Sequence, residues 1–285
     1  MKASDFLYHR PQTVAETVRL LADYGGNARI LAGGQSLMPM MNMRLWRPSA
    51  LIDIALVSGL DGIEESGGMT TLGARLRYHR IENDPVINRR LPSLACMIRK
   101  VGDRQVRNRG TLGGSLVQAD PTGEMPLAAL ALGASVTLAN TSGSRTVAVE
   151  DFFVGSYATA IDPEEFLLSV TYPRHPDHFA FMEVNRRHND FAVVSVLVAA
   201  DRGPLGAFEN LRIGLGGVDE TPILARAAMV AAENSVLDDE TIARAAEFAA
   251  AGINPASDIR ASADYRRHLT FVYVSRALAA LRDGV

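Results

Sequence analysis

The sequence predicts an α+β protein, and two observations support this. In the last third of the chain, three strand-like runs come before three helical runs, an order typical of an antiparallel sheet with helices packed on it. Earlier, residues 134–139 alternate between apolar and polar side chains, as a half-buried strand does. The predicted late strands are 179–184, 191–200 and 211–218, and the predicted helices are 222–233, 239–250 and 264–282.

The first 57 residues predict a small α/β lobe. Thr13 and Glu16 have the spacing of a capping box, in which Thr13 is the N-cap of a helix and Glu16 reaches back to it. Gly25 and Gly26 follow the last apolar position of this helix and end it. Short strands are predicted at 29–32 and 51–54, so one helix packs with a small sheet.

A second lobe is predicted from about residue 58 to 175. Its elements are a hairpin at 62–65 and 70–73, helical structure over 78–101 except at Pro85 and Pro92, and strands at 134–139, 145–149 and 166–172. The proline- and histidine-rich residues 173–178 read as a flexible interdomain linker. We therefore expect one domain over 1–175, with lobes of about 1–57 and 58–175, and another over 176–285.

Composition excludes several classes of protein. The chain has 285 residues, 47% of them hydrophobic, and a net charge of −3, so a nucleic-acid-binding surface is not expected. Cys96 is the only cysteine, which excludes an internal disulfide and a cysteine-ligated cluster within the chain. No apolar run is long enough to span a membrane, and the first residues lack a signal-peptide core, so a cytoplasmic protein is expected.

Two stretches combine paired glycines with small polar residues. One runs from Ile30 to Pro39 and contains Gly33 and Gly34, and the other, about 80 residues later, runs from Arg109 to Leu116. Glycine permits close approach to the backbone, and successive N–H groups in such a turn form an anion site. Glycine pairs are also ordinary turn residues, so both interpretations stay open for either stretch alone. A Rossmann Gly-x-Gly-x-x-Gly fingerprint and a Walker A loop are absent.

Together with their flanking residues, the two stretches resemble the two FAD-binding signatures of molybdenum hydroxylase flavoproteins. These are the medium, FAD-carrying subunits of the carbon monoxide dehydrogenase and xanthine dehydrogenase type. The resemblance spans essentially the whole chain. It implies a two-lobed FAD-binding domain of the PCMH (vanillyl-alcohol-oxidase-like) type, followed by a smaller α+β domain with a three-stranded antiparallel sheet and helices.

The resemblance also implies which residues bind FAD. For Asp120 and Glu124, a solvated turn is the alternative, and for the apolar Val101 and Leu167 the alternative is the core. No catalytic residue and no metal ligand are expected. The implied FAD-binding residues are Ala32, Gly33, Gly34, Gln35, Ser36, Leu37, Val101, Thr111, Gly113, Gly114, Ser115, Asp120, Glu124 and Leu167.

Residues 181–192 are similar to the segment that begins the family's C-terminal domain. Met182 stands where xanthine dehydrogenases carry a lysine near the flavin, which favours an electron acceptor other than NAD+. Arg186, Arg187 and Asp190 are equally consistent with surface ion pairs. The methionines among residues 38–43 could line the flavin, but they could also fill gaps in the core.

By resemblance, the chain is the FAD subunit of a molybdenum-containing complex, which we expect to be a dimer of heterotrimers. A large subunit would hold molybdopterin and oxidise the substrate, and a small subunit would carry two [2Fe-2S] clusters. FAD would pass the electrons to an external acceptor. Two alternatives stay open: a self-sufficient FAD-dependent oxidoreductase acting on a small substrate, and a flavin-holding assembly protein without turnover.

Overall fold

A computed structural model describes residues 2–284, and its first 57 residues form a small parallel sheet with two helices. In sequence order the elements are β1 (Leu7–His9), α1 (Val14–Asp23), β2 (Ala28–Leu31), α2 (Leu37–Asn42) and β3 (Ala50–Asp53). The strand order is β1-β3-β2, and all four residues of the central β3 are buried. This confirms the helix and the two strands that the sequence predicted for this stretch.

The start of α1 follows the predicted capping box with one change. Thr13 Oγ1 accepts a hydrogen bond from Glu16 N at 3.1 Å, as expected. The Glu16 carboxylate, however, accepts from Gln12 N at 3.0 Å, one residue before the N-cap. Val18 and Leu21 bury the inner face of the helix against β3 and the strands around it.

Residues 63–172 form a five-stranded antiparallel sheet with helices on it, in the strand order β4-β5-β10-β6-β7. The predicted hairpin is present. The elements are β4 (Ile63–Ser66), β5 (Met69–Gly73), α3 (Tyr78–Asn83), α4 (Pro85–Arg90), α5 (Pro92–Met97), α6 (Arg104–Arg109), α7 (Leu112–Gln118), α8 (Glu124–Ala131), β6 (Ser135–Asn140), β7 (Gly143–Ala148), α9 (Val149–Phe152), β8 (Phe153–Gly155), β9 (Ala158–Thr159) and β10 (Phe166–Tyr172).

Pro85 and Pro92 divide the helical segment as predicted, because each is the first residue of a new helix. Proline is favoured at this position, where its missing N–H would have no intrahelical partner. Asp84 caps α4 by accepting a hydrogen bond from Val86 N at 2.9 Å. A 3-10 turn at Ile98–Lys100 then leads to the loop before α6.

The remaining residues form a four-stranded antiparallel sheet and three helices. They are β11 (His178–Asn185), β12 (Ala192–Arg202), β13 (Phe208–Gly216), β14 (Ile223–Leu224), α10 (Arg226–Ala232), α11 (Asp239–Ala251) and α12 (Ala263–Asp283). The prediction of three strands was wrong by one, because Ile223 and Leu224 pair with β13 instead of starting a helix. Two residues are too few to show strand periodicity.

Helix α8 packs on the C-terminal sheet on the face opposite to α12. A Cβ atom on Gly214 of β13 would lie 2.7 Å from Ala131 Cβ, so this strand tolerates only glycine at the contact. Arg212 Nε donates to Ala131 O at 2.6 Å, and Arg212 Nη2 donates to Leu130 O at 3.2 Å. These bonds add to the few backbone donors available to the carbonyl groups in the last turn of α8.

The connection at 173–178 differs from the flexible linker that its composition predicts. His175 is buried, and its Nε2 lies 2.6 Å from Ser93 Oγ. Its ring also packs edge-on against Phe179, with 5.6 Å between the ring centroids. The connection is therefore anchored to α5. Within residues 2–284, no helix is both long enough and apolar enough to cross a membrane.

Candidate cofactor-binding site

The first glycine segment, defined here as Gly33–Ser36, joins β2 to α2 and presents backbone N–H groups. Gly34 has φ +70°, a conformation that favours glycine. Within residues 2–284, no acceptor receives a hydrogen bond from the N–H groups of residues 33–36. Four successive free donors next to a glycine turn suit an anionic group.

The second glycine segment, defined here as Arg109–Ser115, is not the turn that the sequence predicted. Gly113 and Gly114 lie inside α7, which begins after Thr111, and Thr111 Oγ1 accepts from Gly114 N at 3.2 Å. The sequence did not predict this helix, because paired glycines are poor helix formers.

Most N–H groups of the second segment are engaged within the protein. Leu112 N donates to Leu76 O at 3.0 Å, and Gly113 N donates to Ala74 O at 2.8 Å. Ser115 N donates to Thr111 O at 3.1 Å. The segment is therefore fixed against residues 74–78, and any ligand contact from Gly113–Ser115 must use Cα atoms or side chains.

The structure brings the two segments into contact. A Cβ atom on Gly33 would lie 3.0 Å from both Arg109 C and Gly110 Cα, and closer still to the carbonyl oxygen of Arg109. Gln118 Nε2 at the end of α7 also lies 3.6 Å from Met40 Sδ in α2. Gly33 is thus required for the close approach of two stretches that are far apart in sequence.

Asp120 and Glu124 follow the second segment, but they do not share one loop. Asp120 lies in a turn, where its Oδ1 accepts from Thr122 N at 2.9 Å and from Thr122 Oγ1 at 2.8 Å. Tyr157 Oη donates to Asp120 Oδ2 at 3.3 Å. Glu124 is the first residue of α8 and is buried, so the solvated-turn interpretation is wrong for it.

The pKa of Glu124 is raised to about 8, chiefly by burial and in addition by the nearby carboxylates of Glu183 and Asp120. Glu183 was missed in the sequence. Burial raises its pKa too, and its Oε2 has no hydrogen-bond partner among the described residues. A glutamate inside the mostly apolar run 179–184 was the signal that could have identified it.

Val101 and Leu167 lie in different surroundings. Val101 is half-buried in the loop before α6 and packs on the core of the second lobe. Leu167 is 4% exposed in β10, with its side chain inside that core, so this side chain is not available to a ligand. Ala32 and Leu37 are half-buried on either side of the first segment, whereas Gln35 and Ser36 are exposed.

The other segments that the sequence singled out lie as follows. Met182 packs against the C-terminal core, on the side of β11 opposite to the side chain of Phe181. Arg187 and Asp190 form an exposed ion pair of 3.3 Å. Of the methionines after the first segment, Met41 is buried and Met43 is 50% exposed.

Comparison with known proteins gives the class of this chain. A family model described as the FAD binding domain in molybdopterin dehydrogenase matches residues 3–175. A second, described as the CO dehydrogenase flavoprotein C-terminal domain, matches residues 179–281. The chain therefore belongs to the family of FAD-binding subunits of molybdopterin dehydrogenases, and the predicted resemblance, α+β class and FAD cofactor are confirmed.

Individual relatives match over nearly their full lengths. The 6-hydroxypseudooxynicotine dehydrogenase complex subunit alpha of Paenarthrobacter nicotinovorans is 36% identical, covering 98% of this chain and 95% of that protein. The carbon monoxide dehydrogenase medium chain of Hydrogenophaga pseudoflava is 33% identical, with 96% of each chain covered. A chain in the crystal structure of quinoline 2-oxidoreductase from Pseudomonas putida 86 superimposes with a TM-score of 0.95 at 38% identity, covering 100% of this chain and 99% of that one.

Proposed function

We propose that this chain is the FAD-carrying electron-transfer subunit of a molybdenum-containing hydroxylase complex. The observation that carries the proposal is the contact of Gly33 with Arg109 and Gly110, next to four free backbone donors. A dinucleotide diphosphate needs such donors, and the contact places the second glycine segment beside them. FAD supplies the redox chemistry when bound, accepting electrons and passing them on.

In this proposal, residues 1–175 bind FAD and residues 176–285 form the C-terminal domain. The first glycine segment binds the diphosphate through its N–H groups. Thr111, Gly113, Gly114 and Ser115 form the facing wall, and Gly114 is the exposed residue among them. The remaining contacts come from Ala32, Leu37, Val101, Asp120, Glu124 and the backbone of Leu167.

Glu124 has a distinct part in this arrangement. Because burial raises its pKa to about 8, its carboxyl group holds a proton at neutral pH. A protonated carboxyl donates a hydrogen bond, whereas a carboxylate only accepts. We propose that Glu124 donates this hydrogen bond to a polar atom of the bound nucleotide.

The proposed partners follow from the family to which the chain belongs. In such complexes a small subunit carries the [2Fe-2S] clusters that deliver electrons, which agrees with the single cysteine of this sequence. The large subunit holds molybdopterin, and the complex is a dimer of heterotrimers with an external electron acceptor. The cytoplasmic location stays a prediction from the sequence.

The test is the visible absorbance of the purified chain, with the released cofactor identified by chromatography. The proposal predicts a flavin spectrum, FAD in the supernatant, and reduction of the flavin by the reduced iron–sulfur subunit. Reduction of the isolated chain by a small substrate would favour a self-sufficient oxidoreductase instead. A chain that binds no FAD, alone or with its co-expressed subunits, would contradict the proposal.

A further inference from the structure

The loop Val101–Asp103 lies outside the two glycine segments. It carries Val101, which we place in the wall of the FAD site. Gly102 in this loop has φ +49°, and a Cβ atom there would lie 3.1 Å from Val106 Cβ. Asp103 ends the loop by capping α6, accepting from Val106 N at 2.9 Å. The position of Val101 therefore depends on what holds this short loop.

Arg107 holds the loop from the next turn of α6. Its Nη1 donates to Gly102 O at 2.9 Å and to Val101 O at 3.3 Å. Its Nε donates to Glu82 Oε2 of α3 at 3.1 Å. The Arg107 side chain is only 16% exposed and that of Glu82 23%, so the ion pair is partly shielded from solvent.

The geometry of these bonds requires arginine. A guanidinium group offers several donors in one rigid plane, so it can bond to two carbonyl groups and a carboxylate in fixed directions. A lysine ammonium at the same place is a single flexible donor group and cannot reproduce this pattern. The ion pair with Glu82 fixes the plane of the guanidinium, because charge-assisted hydrogen bonds are the stronger ones.

Arg107 also lies two residues before Arg109, whose carbonyl group contacts Gly33. The same short helix therefore connects the Val101 loop to the contact between the glycine segments. A shift of Arg107 would move the wall at Val101 relative to the free donors of the first segment.

We propose that Arg107 is a positioning residue, which holds Val101 at the wall of the FAD site through its bonds to the backbone of Val101 and Gly102. This inference rests on the proposed function, since Val101 matters only if the site binds FAD. Arg107 itself touches no cofactor in this proposal. Its effect reaches FAD through Val101.

The test compares Arg107→Lys with Arg104→Lys in FAD affinity, in the visible spectrum and in the reduction potential of bound FAD. Arg104 is the matched control, because it is exposed in the same helix and its guanidinium donates no hydrogen bond among the described residues. Arg107→Lys should lose the two hydrogen bonds that hold the carbonyl groups of Val101 and Gly102. We expect the displaced wall to raise the FAD dissociation constant about tenfold. We expect the visible spectrum and the reduction potential of bound FAD to shift in Arg107→Lys as well. Arg104→Lys should match the wild type in all three measurements.

A double-mutant cycle separates positioning from general stability. If Arg107 acts through Val101, then Val101→Ala combined with Arg107→Lys changes FAD affinity little more than either change alone. Fully additive effects overturn the proposal, and so does an Arg107→Lys protein with wild-type affinity and spectrum. Should Arg107→Lys fail to fold, Glu82→Gln replaces it, because it keeps an acceptor without the charge and predicts a smaller shift in the same direction.

Failure of the proposed function gives a different result. In that case the wild-type chain itself binds no FAD, and no variant needs to be measured. A wild type that binds FAD, with Arg107→Lys indistinguishable from it, rejects only the role of Arg107.

Discussion

The first and second glycine segments differ in what their backbone N–H groups contact. In Gly33–Ser36, these groups donate to no acceptor within residues 2–284. In the second segment, the N–H groups of residues 112–115 all have acceptors, three of them on the backbone and one on Thr111 Oγ1. The first segment is free to bind an anion, whereas the second is already part of the folded framework.

This difference shows that glycine pairs of similar sequence can have two physical roles. Gly34 supplies a left-handed backbone conformation, with φ +70°. Gly113 is needed because it has no side chain: a Cβ atom there would lie 2.7 Å from Ala74 Cβ. Substitutions in the two segments should therefore separate loss of cofactor from loss of stability.

The largest effect is expected for Gly33→Ala, which affects both properties. The added Cβ would collide with the backbone of Arg109 and Gly110, and backbone cannot move aside as a flexible side chain can. We expect loss of bound FAD and a fall in the free energy of unfolding of about 1–3 kcal/mol. Flavin absorbance and thermal unfolding measure the two effects.

Gly62→Ala is the control for this substitution. A Cβ atom on Gly62 would have no heavy atom within 4 Å, and the residue has no positive φ, so the variant should keep both FAD and stability. A Gly33→Ala protein with full FAD content and an unchanged unfolding temperature would show that the two segments do not need their close contact.

Gly34→Val comes next, with a smaller cost in stability. Its new Cβ would meet only side-chain atoms, Leu31 Cδ1 and Met38 Cγ, each at 3.3 Å. The left-handed backbone conformation costs a residue with a Cβ about 1–2 kcal/mol. We expect FAD to be lost because the valine covers the free donors, and we would measure FAD content at equal protein concentration.

Gly59→Val is the matched control for Gly34→Val. Gly59 has φ +80° and open space around it, so valine there carries the same backbone cost away from the proposed site. If both variants retain FAD equally, the first segment is not the diphosphate site.

A pair of substitutions within the second segment should divide the two effects. Gly113→Ala pushes against Ala74 and should lower the free energy of unfolding by about 1–3 kcal/mol while the folded protein still binds FAD. Gly114 is exposed, and a Cβ atom there would meet only Thr111 Oγ1, at 2.8 Å. Gly114→Val should therefore weaken FAD binding more than it lowers the free energy of unfolding. Titration of each variant with FAD, beside its urea unfolding curve, distinguishes these results. The reverse pattern would mean that Gly113 contributes more than Gly114 to the wall that faces FAD.

The sequence predicted the regular elements well where local chemistry decides them. The capping residue Thr13 and the prolines at 85 and 92 set helix starts that the structure confirms. Helix α7 and strand β14 were missed, because tertiary contacts stabilise both. Gly113 and Gly114 oppose a helix, yet their N–H groups are fixed by Ala74 and Thr111.

The candidate site was predictable only in part. The resemblance indicated the candidate FAD-binding residues. It did not indicate that only glycine at position 33 permits the contact with Arg109, because that contact joins residues far apart in sequence. Glu183 and Arg107 were missed for a similar reason. Each gains its importance from a partner on another element, and a single sequence does not show such pairs.

The last expected effect concerns how the stability of the FAD-free protein depends on pH, and it also distinguishes the two segments. The first segment contains no titratable side chain, whereas the second leads to the buried Glu124. Burial, with Glu183 and Asp120 nearby, raises the pKa of Glu124 from 4.5 to about 8. Between these values the folded state binds a proton that the unfolded state has lost. Stability from this group is therefore present below about pH 4.5 and is lost as the pH rises towards 8.

Glu124→Gln should remove this dependence. We expect the FAD-free wild type to lose stability relative to the variant by up to about 1.4 kcal/mol per pH unit between pH 5 and 8. Urea unfolding at several pH values measures the difference. Glu64→Gln, at an exposed position in β4, should instead run parallel to the wild type. Parallel curves for Glu124→Gln as well would mean that Glu124 is solvated in the FAD-free protein, so that the wall behind the second segment is open until the cofactor binds.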